Sequence, residues 1–444
     1  MKKKVLCALL ATSMMAAMLA GCDKKAGSDG GSSDGKVLNI YVWNEEFKSR
    51  VTDHYPGYQK VDENTGKIGD VTVKFVTTPN ENNAYQNNLD DALRKQSSAA
   101  ADDKIDIFLI EADYALKYID TDYAMPLADL GITDKDVANQ YQYTKDVVTD
   151  KNGKLKGISW QGCPGALFYN REAAKDVFGT DDAAEIQKKV SDSDTFSKTA
   201  EELKAKGYTI VSSVNDTYRV YSNNVTSKWV EDGKINIDAN IKKWVDDSKA
   251  MVDAGYAKTY DIWGDDWKKG FRPEGKVFCY FGPAWLINFC MGAGDEGTIA
   301  TNGGWGITEG PQSFNWGGTW ICGATGTDNA SLVKDIMIKL CCDEKIMKEI
   351  VEKDDDFVNN KPAMEAMAKD TNYKSAVLGG INPLDMYCKG AAVCDLSKMT
   401  IYDQACTEEF QKAMKNYFEG KASYEEALDL FYKGVGEKHP ELKK

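Results

Sequence analysis

Val37-Leu-Asn-Ile-Tyr-Val-Trp43, followed at once by Asn44-Glu45-Glu46, is the stretch on which the reading of this chain turns. A β-branched and aromatic run that ends in polar residues reads as a buried strand delivering its last side chains to a loop. Val71 to Thr77 and Ile105 to Ile110 repeat the pattern, with the helical stretch Ala84 to Gln96 between them. Strand, helix and strand in that order predict an α/β fold with a parallel sheet and crossover helices. In such sheets ligands gather at the carboxyl ends of the strands, which here present Trp43-Asn44-Glu45, Thr77-Thr78 and Glu111-Ala112-Asp113. A polar rim carrying one large aromatic is thus the first candidate binding surface.

Further along, the turn at Asp150-Lys-Asn-Gly153 leads into Gly157 to Asn170, an apolar run broken at Gly162 and Pro164-Gly165. Such breaks predict an extended segment crossing between domains. Asp194 is expected to cap a helix through Lys206, closed by Gly207 and followed by a strand at Tyr208 to Val211. Asp238 is expected to cap another, with Ile241, Trp244, Val245, Met251 and Val252 on one face and Gly255 ending it. Val277 to Phe281 and Trp305 to Thr308 read as strands. Ser331 to Val351 and Glu408 to the end read as mainly helical, with Ser423-x-x-Glu426 a capping box.

At 444 residues the chain has room for two or three packed units. Apolar residues make up 42% and charged residues 28%, with 10 Pro, which excludes collagen-like, disordered and disulfide-scaffold classes. The net charge of −14 repels phosphate backbones, so no nucleic-acid partner is expected. Two histidines, His54 and His439, leave little from which to build a His-based zinc site or a Ser-His-Asp triad. Phosphate-loop, dinucleotide, zinc-helix and nucleophile-elbow motifs do not occur, so no catalytic group, metal or cofactor is expected.

The first residues carry an address. Lys2, Lys3 and Lys4 precede the apolar run Val5 to Leu19 and the small residues Ala20-Gly21, which reads as a secretory signal over residues 1–21. As a helix the run would extend ~22 Å, short of a ~30 Å hydrocarbon core. Leu19-Ala20-Gly21-Cys22 resembles the lipobox of bacterial lipoproteins, in which the Cys becomes the acylated first residue of the mature chain. Residues 22–36 are rich in Gly, Ser, Asp and Lys and read as a flexible tether. The expected location is therefore the extracytoplasmic face of the cell membrane. Of 11 Cys, setting aside Cys7 and Cys22 leaves an odd number, which cannot all pair. The apolar settings of Cys279, Cys290 and Cys322 predict buried, reduced thiols.

All ten Trp lie between Trp43 and Trp320, and several adjoin Gly, Asn, Pro or Asp instead of following helical periodicity. Trp43, Trp160, Trp263, Trp267, Trp285 and Trp316 are of this kind, whereas Trp229 and Trp244 read as core. Pyranose C–H faces stack on aromatic rings while hydroxyls need carboxylates and amides, so this pattern points to a sugar pocket. The acid pairs Asp102-Asp103 and Asp265-Asp266 and the run Asp354-Asp355-Asp356 could supply a glycosidase with two carboxylates, but read better as solvated surface.

In order, Leu38 to Asn44, Asp106 to Asp113, Asn152 to Ile158, Phe168 to Arg171 and Gly317-Gly318 resemble family 1 of the extracellular solute-binding proteins. These are the maltose-binding-like proteins of carbohydrate-importing ABC transporters. The resemblance covers nearly the whole mature chain and implies a two-lobe, type II periplasmic-binding-protein-like α/β fold with hinge segments crossing between the lobes. It implies lobe one over 37–160, lobe two over 161–316, a return to lobe one over 317–385, and helices on lobe two over 386–444. A carbohydrate would lie in the cleft of a monomer and pass to the permease subunits. The match puts Asn44 and Glu45 where the first-strand loop touches sugar, beside Trp43, and Glu111 and Asp113 where acids contact hydroxyls. Trp160 and Gln161 fall at the first crossing, Trp285 after the Gly-Pro where a stacking aromatic is common, and Trp316 near the second crossing. Asn215 and Tyr402 match more loosely. The many Cys and the Trp263 to Trp267 loop depart from the better-known members. Cleft carboxylates would equally suit a polyamine-type cation, and a surface glycosidase is the third reading.

Overall fold

The computed structural model describes residues 35–292 and 294–444. The signal, Cys22 and the tether up to residue 34 lie outside the described residues.

The strand Val37–Val42 sits inside a six-stranded sheet whose order is Thr319–Gly323, Ile107–Glu111, Val37–Val42, Val71–Thr77, Thr65–Ile68, Tyr58–Lys60. It pairs in parallel with both neighbours, Val42 lying opposite Thr77 and Ile40 opposite Ile107. Parallel neighbours require crossovers. The helix Glu46–His54 lies on the first crossover and Ala84–Lys95 on the second. Leu38, Ile40, Val42, Ile107 and Leu109 are buried, as a sheet covered on both faces demands. The parallel character stops at the edges. Tyr58–Lys60 and Thr65–Ile68 form an antiparallel hairpin, and Thr319–Gly323 runs antiparallel to Ile107–Glu111 because it returns from the other lobe.

A second sheet has the order Trp305–Thr308, Ala166–Asn170, Val277–Gly282, Thr209–Val211. Ala166–Asn170 is antiparallel to both neighbours, and only Val277–Gly282 with Thr209–Val211 is parallel. Between the sheets three segments lie side by side. Isolated bridges join Ile158 to Ile321, Gln161 to Val358 and Pro164 to Asn315. Gly162 N donates to Phe357 O at 2.9 Å and Asn359 N to Trp160 O at 2.6 Å.

Helices Asp403–Phe418 and Tyr424–Lys438 pack into the second lobe, where Phe410 and Phe431 meet Trp229, and Phe418 meets Trp244. Trp244 is fully buried and its Nε1 donates to Val214 O at 3.2 Å. The helix Leu384–Val393 spans residue 385, and its Leu384, Tyr387 and Ala391 bury in a core to which both lobes contribute. Just before it the chain touches the second lobe, where Trp305 N donates to Val377 O.

Local signals fix the helix ends. Asp238 caps Ala239–Ala254, and Gly255 closes it at φ 71°. Ser423 and Glu426 form the reciprocal box. The cap of Ser193–Ala205 is Asp192, not Asp194, because Thr195 answers it: Thr195 N donates to Asp192 Oδ1 at 2.8 Å and Asp192 N to Thr195 Oγ1 at 3.1 Å. All nine Cys of the described residues are free, and burial pushes the thiols of Cys163, Cys279 and Cys341 well up. Among the described residues no helix is long and apolar enough to cross a membrane.

Candidate functional site

The carboxyl end of the first sheet and the rim of the second lobe enclose a groove of about 820 Å³. That is the size of a small-molecule site. Lobe one contributes the polar side. Trp43 and Asn44 leave the end of the first strand, and Asn44 Oδ1 accepts from Glu46 N at 3.0 Å, which starts the helix Glu46–His54. Glu111 ends its strand and Asp113 follows in the next turn. Trp43 is held edge-on by Tyr85 and Tyr114, at 5.4 and 6.3 Å between ring centroids.

Gln161 occupies the floor, oriented from two sides. Its Nε2 donates to Glu46 Oε1 at 2.6 Å, and its Oε1 accepts from Thr319 N at 3.2 Å. Gly317 and Gly318, at φ 72° and 108°, let the second crossing turn beside it in a conformation other residues avoid.

Lobe two contributes an aromatic wall. Trp263 stacks on Trp285 at 6.0 Å and 30°, and meets Trp316 at 5.8 Å and Phe289 at 6.1 Å. Trp285 and Trp316 meet edge-on at 5.1 Å, and Trp285 Nε1 donates to Trp316 O at 3.3 Å. Trp263 adopts φ 76°, a left-handed backbone that bulky residues rarely take, and is 44% exposed. Its neighbour Trp267 is buried and donates from Nε1 to Asp216 Oδ1 at 2.6 Å. Asn215 adds an amide at the same rim.

Three carboxyl groups of the groove are held towards their neutral form. Burial pushes Glu46 up to about 7 even though Arg50 opposes the shift. Burial and then the charge of Asp113 push Glu111 up to about 8. Asp216 is pushed up to about 7 by burial. Asp113 is instead neutralised across the lobes. Arg219 Nη1 donates to its Oδ1 at 2.8 Å, and Nη2 donates to Oδ2 in a two-pronged pair.

Of the residues singled out from sequence, Trp43, Asn44, Glu111, Asp113, Gln161, Asn215, Trp285 and Trp316 line this groove. Three do not. Glu45 points to solvent and pairs with Lys48 at 2.6 Å, because successive helical residues turn by about 100° and the register brings Glu46 inward. Trp160 is 0% exposed, packs on Phe47 at 5.5 Å and donates to Asp356 at 3.3 Å, so it is core. Tyr402 lies outside the groove lining with its ring against His439 at 5.0 Å. Trp263, one of the tryptophans whose setting points to a pocket, lines the groove too, as do Glu46, Arg219 and Phe289, which the sequence reading does not single out. The turn in which Asn44 Oδ1 accepts from Glu46 N is the local signal for Glu46. The sequence carries no signal for the pairing of Arg219 with a residue 106 positions away.

Residues 59–378 match a family described as bacterial extracellular solute-binding protein. No curated protein sequence matches the chain. Among solved structures, an extracellular solute-binding protein of family 1 is similar at 20% identity and TM-score 0.68, over 90% of this chain and 99% of that one. An ABC transporter-associated binding protein from B. animalis subsp. lactis, in complex with β-1,6-galactobiose, is similar at 18% identity and TM-score 0.69, over 92% and 99%. The galacto-N-biose/lacto-N-biose I-binding protein of an ABC transporter from Bifidobacterium longum, in complex with lacto-N-biose, is similar at 13% identity and TM-score 0.65, over 91% and 97%. These likenesses show a shared two-lobe, type II binding-protein fold.

Proposed function

We propose that this chain, which belongs to the bacterial extracellular solute-binding proteins, captures a neutral mono- or oligosaccharide and delivers it chemically unchanged to an ABC importer. One observation carries the reading: a wall of three tryptophans on lobe two faces amides and carboxyls on lobe one across a single groove. Rings stack on the C–H faces of a sugar, and the opposite rim accepts and donates to its hydroxyls. Two similar structures hold disaccharides, which supports the same ligand class.

A polyamine-type ligand fits less well. Cation recognition needs open ring faces and net negative charge. Burial holds Glu46 and Glu111 towards neutrality, and Arg219 already satisfies Asp113. The extracytoplasmic site follows from the family, and lipid attachment through Cys22 belongs to this proposal as the means of staying near the permease.

Calorimetric titration with neutral disaccharides, β-1,6-galactobiose and maltose among them, is expected to find micromolar or tighter binding, about −8 kcal/mol or stronger. Chromatography of the released sugar should return it intact. Release of monosaccharide, or tighter binding of a linear polyamine than of any sugar, would overturn the reading.

A further inference from the structure

Arg219 and Asp113 belong to different lobes. Arg219 lies on the short lobe-two helix Tyr218–Ser222, and Asp113 follows the lobe-one strand Ile107–Glu111. Two parallel hydrogen bonds from the guanidinium hold the carboxylate. Among the described residues this is the one ion pair that joins residues 37–160 to residues 161–316. A neutral tie also crosses at the groove. Gln404 Nε2, on the helix Asp403–Phe418 packed into lobe two, donates to Asn83 Oδ1 of lobe one at 3.1 Å. Both ties are made of protein atoms alone, so neither needs a guest to form.

The surroundings of the pair are acidic on both lobes. Burial and then the charge of Asp113 push up Glu111 of lobe one, and Arg219 opposes the shift. Asp403 of lobe two is pushed up to about 7, first by burial, with Asp113 adding to the shift and Arg219 opposing it. Arg219 is therefore the cation that lets acids of the two lobes approach each other. The side chains of Arg219 and Asp113 are 20% and 27% exposed. Without the guanidinium, Asp113 would face Asp403 largely dehydrated and with no counter-charge. A charge left in that state is strongly unfavourable, and parting the lobes returns it to water.

We propose that the Asp113–Arg219 pair is a latch that holds the lobes together before ligand arrives, so that Arg219 sets the balance between the open and the closed cleft. Lobes joined by hinge segments open and close about them. A ligand that binds the closed form gains apparent affinity in proportion to the closed fraction, and it enters more slowly while the latch is shut. The latch stands on protein contacts; only its effect on affinity rests on the sugar-binding reading.

Two measurements keep these parts apart. In the first, small-angle scattering without ligand compares the wild type, Arg219→Met and Arg219→Lys. Met keeps the aliphatic stem and drops the charge, whereas Lys keeps the charge without the fork. Arg219→Met should have the larger radius of gyration, with Arg219→Lys between it and the wild type. From ~0.01 to ~1 M salt the screening length falls from ~30 to ~3 Å, so the wild type should expand and Arg219→Met should change far less. An Arg219→Met protein as compact as the wild type overturns the latch. If that variant does not fold, the salt series on the wild type decides, and an unchanged radius overturns the latch.

In the second, stopped-flow tryptophan fluorescence follows the binding of β-1,6-galactobiose. Arg219→Met should associate faster than the wild type yet bind about tenfold more weakly, because its cleft stands open and closes at a cost. Weaker binding with an unchanged association rate assigns the loss to a sugar contact and overturns the link between latch and affinity. If no sugar binds any of the proteins, the sugar reading falls and scattering still decides the latch.

Discussion

Glu46→Gln should make the protein more stable at pH 8 and leave it unchanged at pH 4.5. In the folded protein burial raises the Glu46 carboxyl from its ordinary 4.5 to about 7. The folded state therefore keeps a proton that the unfolded chain has already lost. Stability is full below about pH 4.5, falls as pH rises through the window, and is lowest above about pH 7. At about 1.4 kcal/mol per unit the penalty is roughly 3 kcal/mol for a fully enclosed group, and about 2 kcal/mol where groove water reaches one oxygen. Gln has the same shape and still accepts from Gln161 Nε2, so the substitution removes the charge and little else. Urea unfolding followed by tryptophan fluorescence at pH 5, 6, 7 and 8 measures the difference between the two proteins. A gap that opens with pH to about 2–3 kcal/mol supports the burial argument. Curves that run parallel from pH 5 to 8 would refute it, because Glu46 would then ionise near its ordinary value.

Trp285→Ala and Trp316→Ala should each weaken sugar binding by ~1–3 kcal/mol in calorimetric titration while keeping most of the melting temperature. Trp244→Ala should do the reverse, losing ~3–5 kcal/mol of stability with the affinity of the folded fraction intact. Cys163, Cys279, Cys322 and Cys341, all buried with raised thiols, should not react with an aromatic disulfide reagent at pH 8 until the protein is unfolded. Cys22→Ala should move the protein from the membrane pellet to the soluble fraction, and retention in the pellet would refute lipid attachment.

Elements whose logic is local were legible in the sequence. Val71–Thr77, Ala84–Lys95 and Trp305–Thr308 carry their periodicity and stop signals within a few residues. The Asp238 and Ser423 caps are equally local. Strand direction at the sheet edges was not legible, because the antiparallel course of Thr319–Gly323 depends on the chain having left for the second lobe and come back. At the site the adjacent-residue cue held for Trp285 and Trp316 but not for Trp160. Trp160 has a polar neighbour in Gln161, as Trp316 has in Asn315, and differs in the long-range packing of Phe47 and Asp356 around it. Trp263 lines the groove through a left-handed backbone that no composition announces.

Glu46, Arg50 and His54 stand four residues apart on one face of a single helix, and together they tie the groove to the hinge. Glu46 holds Gln161, a residue of the first crossing. Arg50, one turn on, donates to Asp354 at 2.7 Å and to Asp356 at 3.2 Å. Asp356 also receives Trp160 Nε1 and immediately precedes Phe357, whose carbonyl pairs with Gly162 N. His54 Nε2 meets the same Asp354 at 2.8 Å. Hydrogen bonds thus lead from Arg50 through Asp356 back to the backbone that joins the lobes, and Glu46 reaches that network only through the charge of Arg50. Glu45 has no such access, since its register faces solvent and its partner is Lys48. One step of helical register therefore separates a surface ion pair from a residue bonded to the first crossing segment.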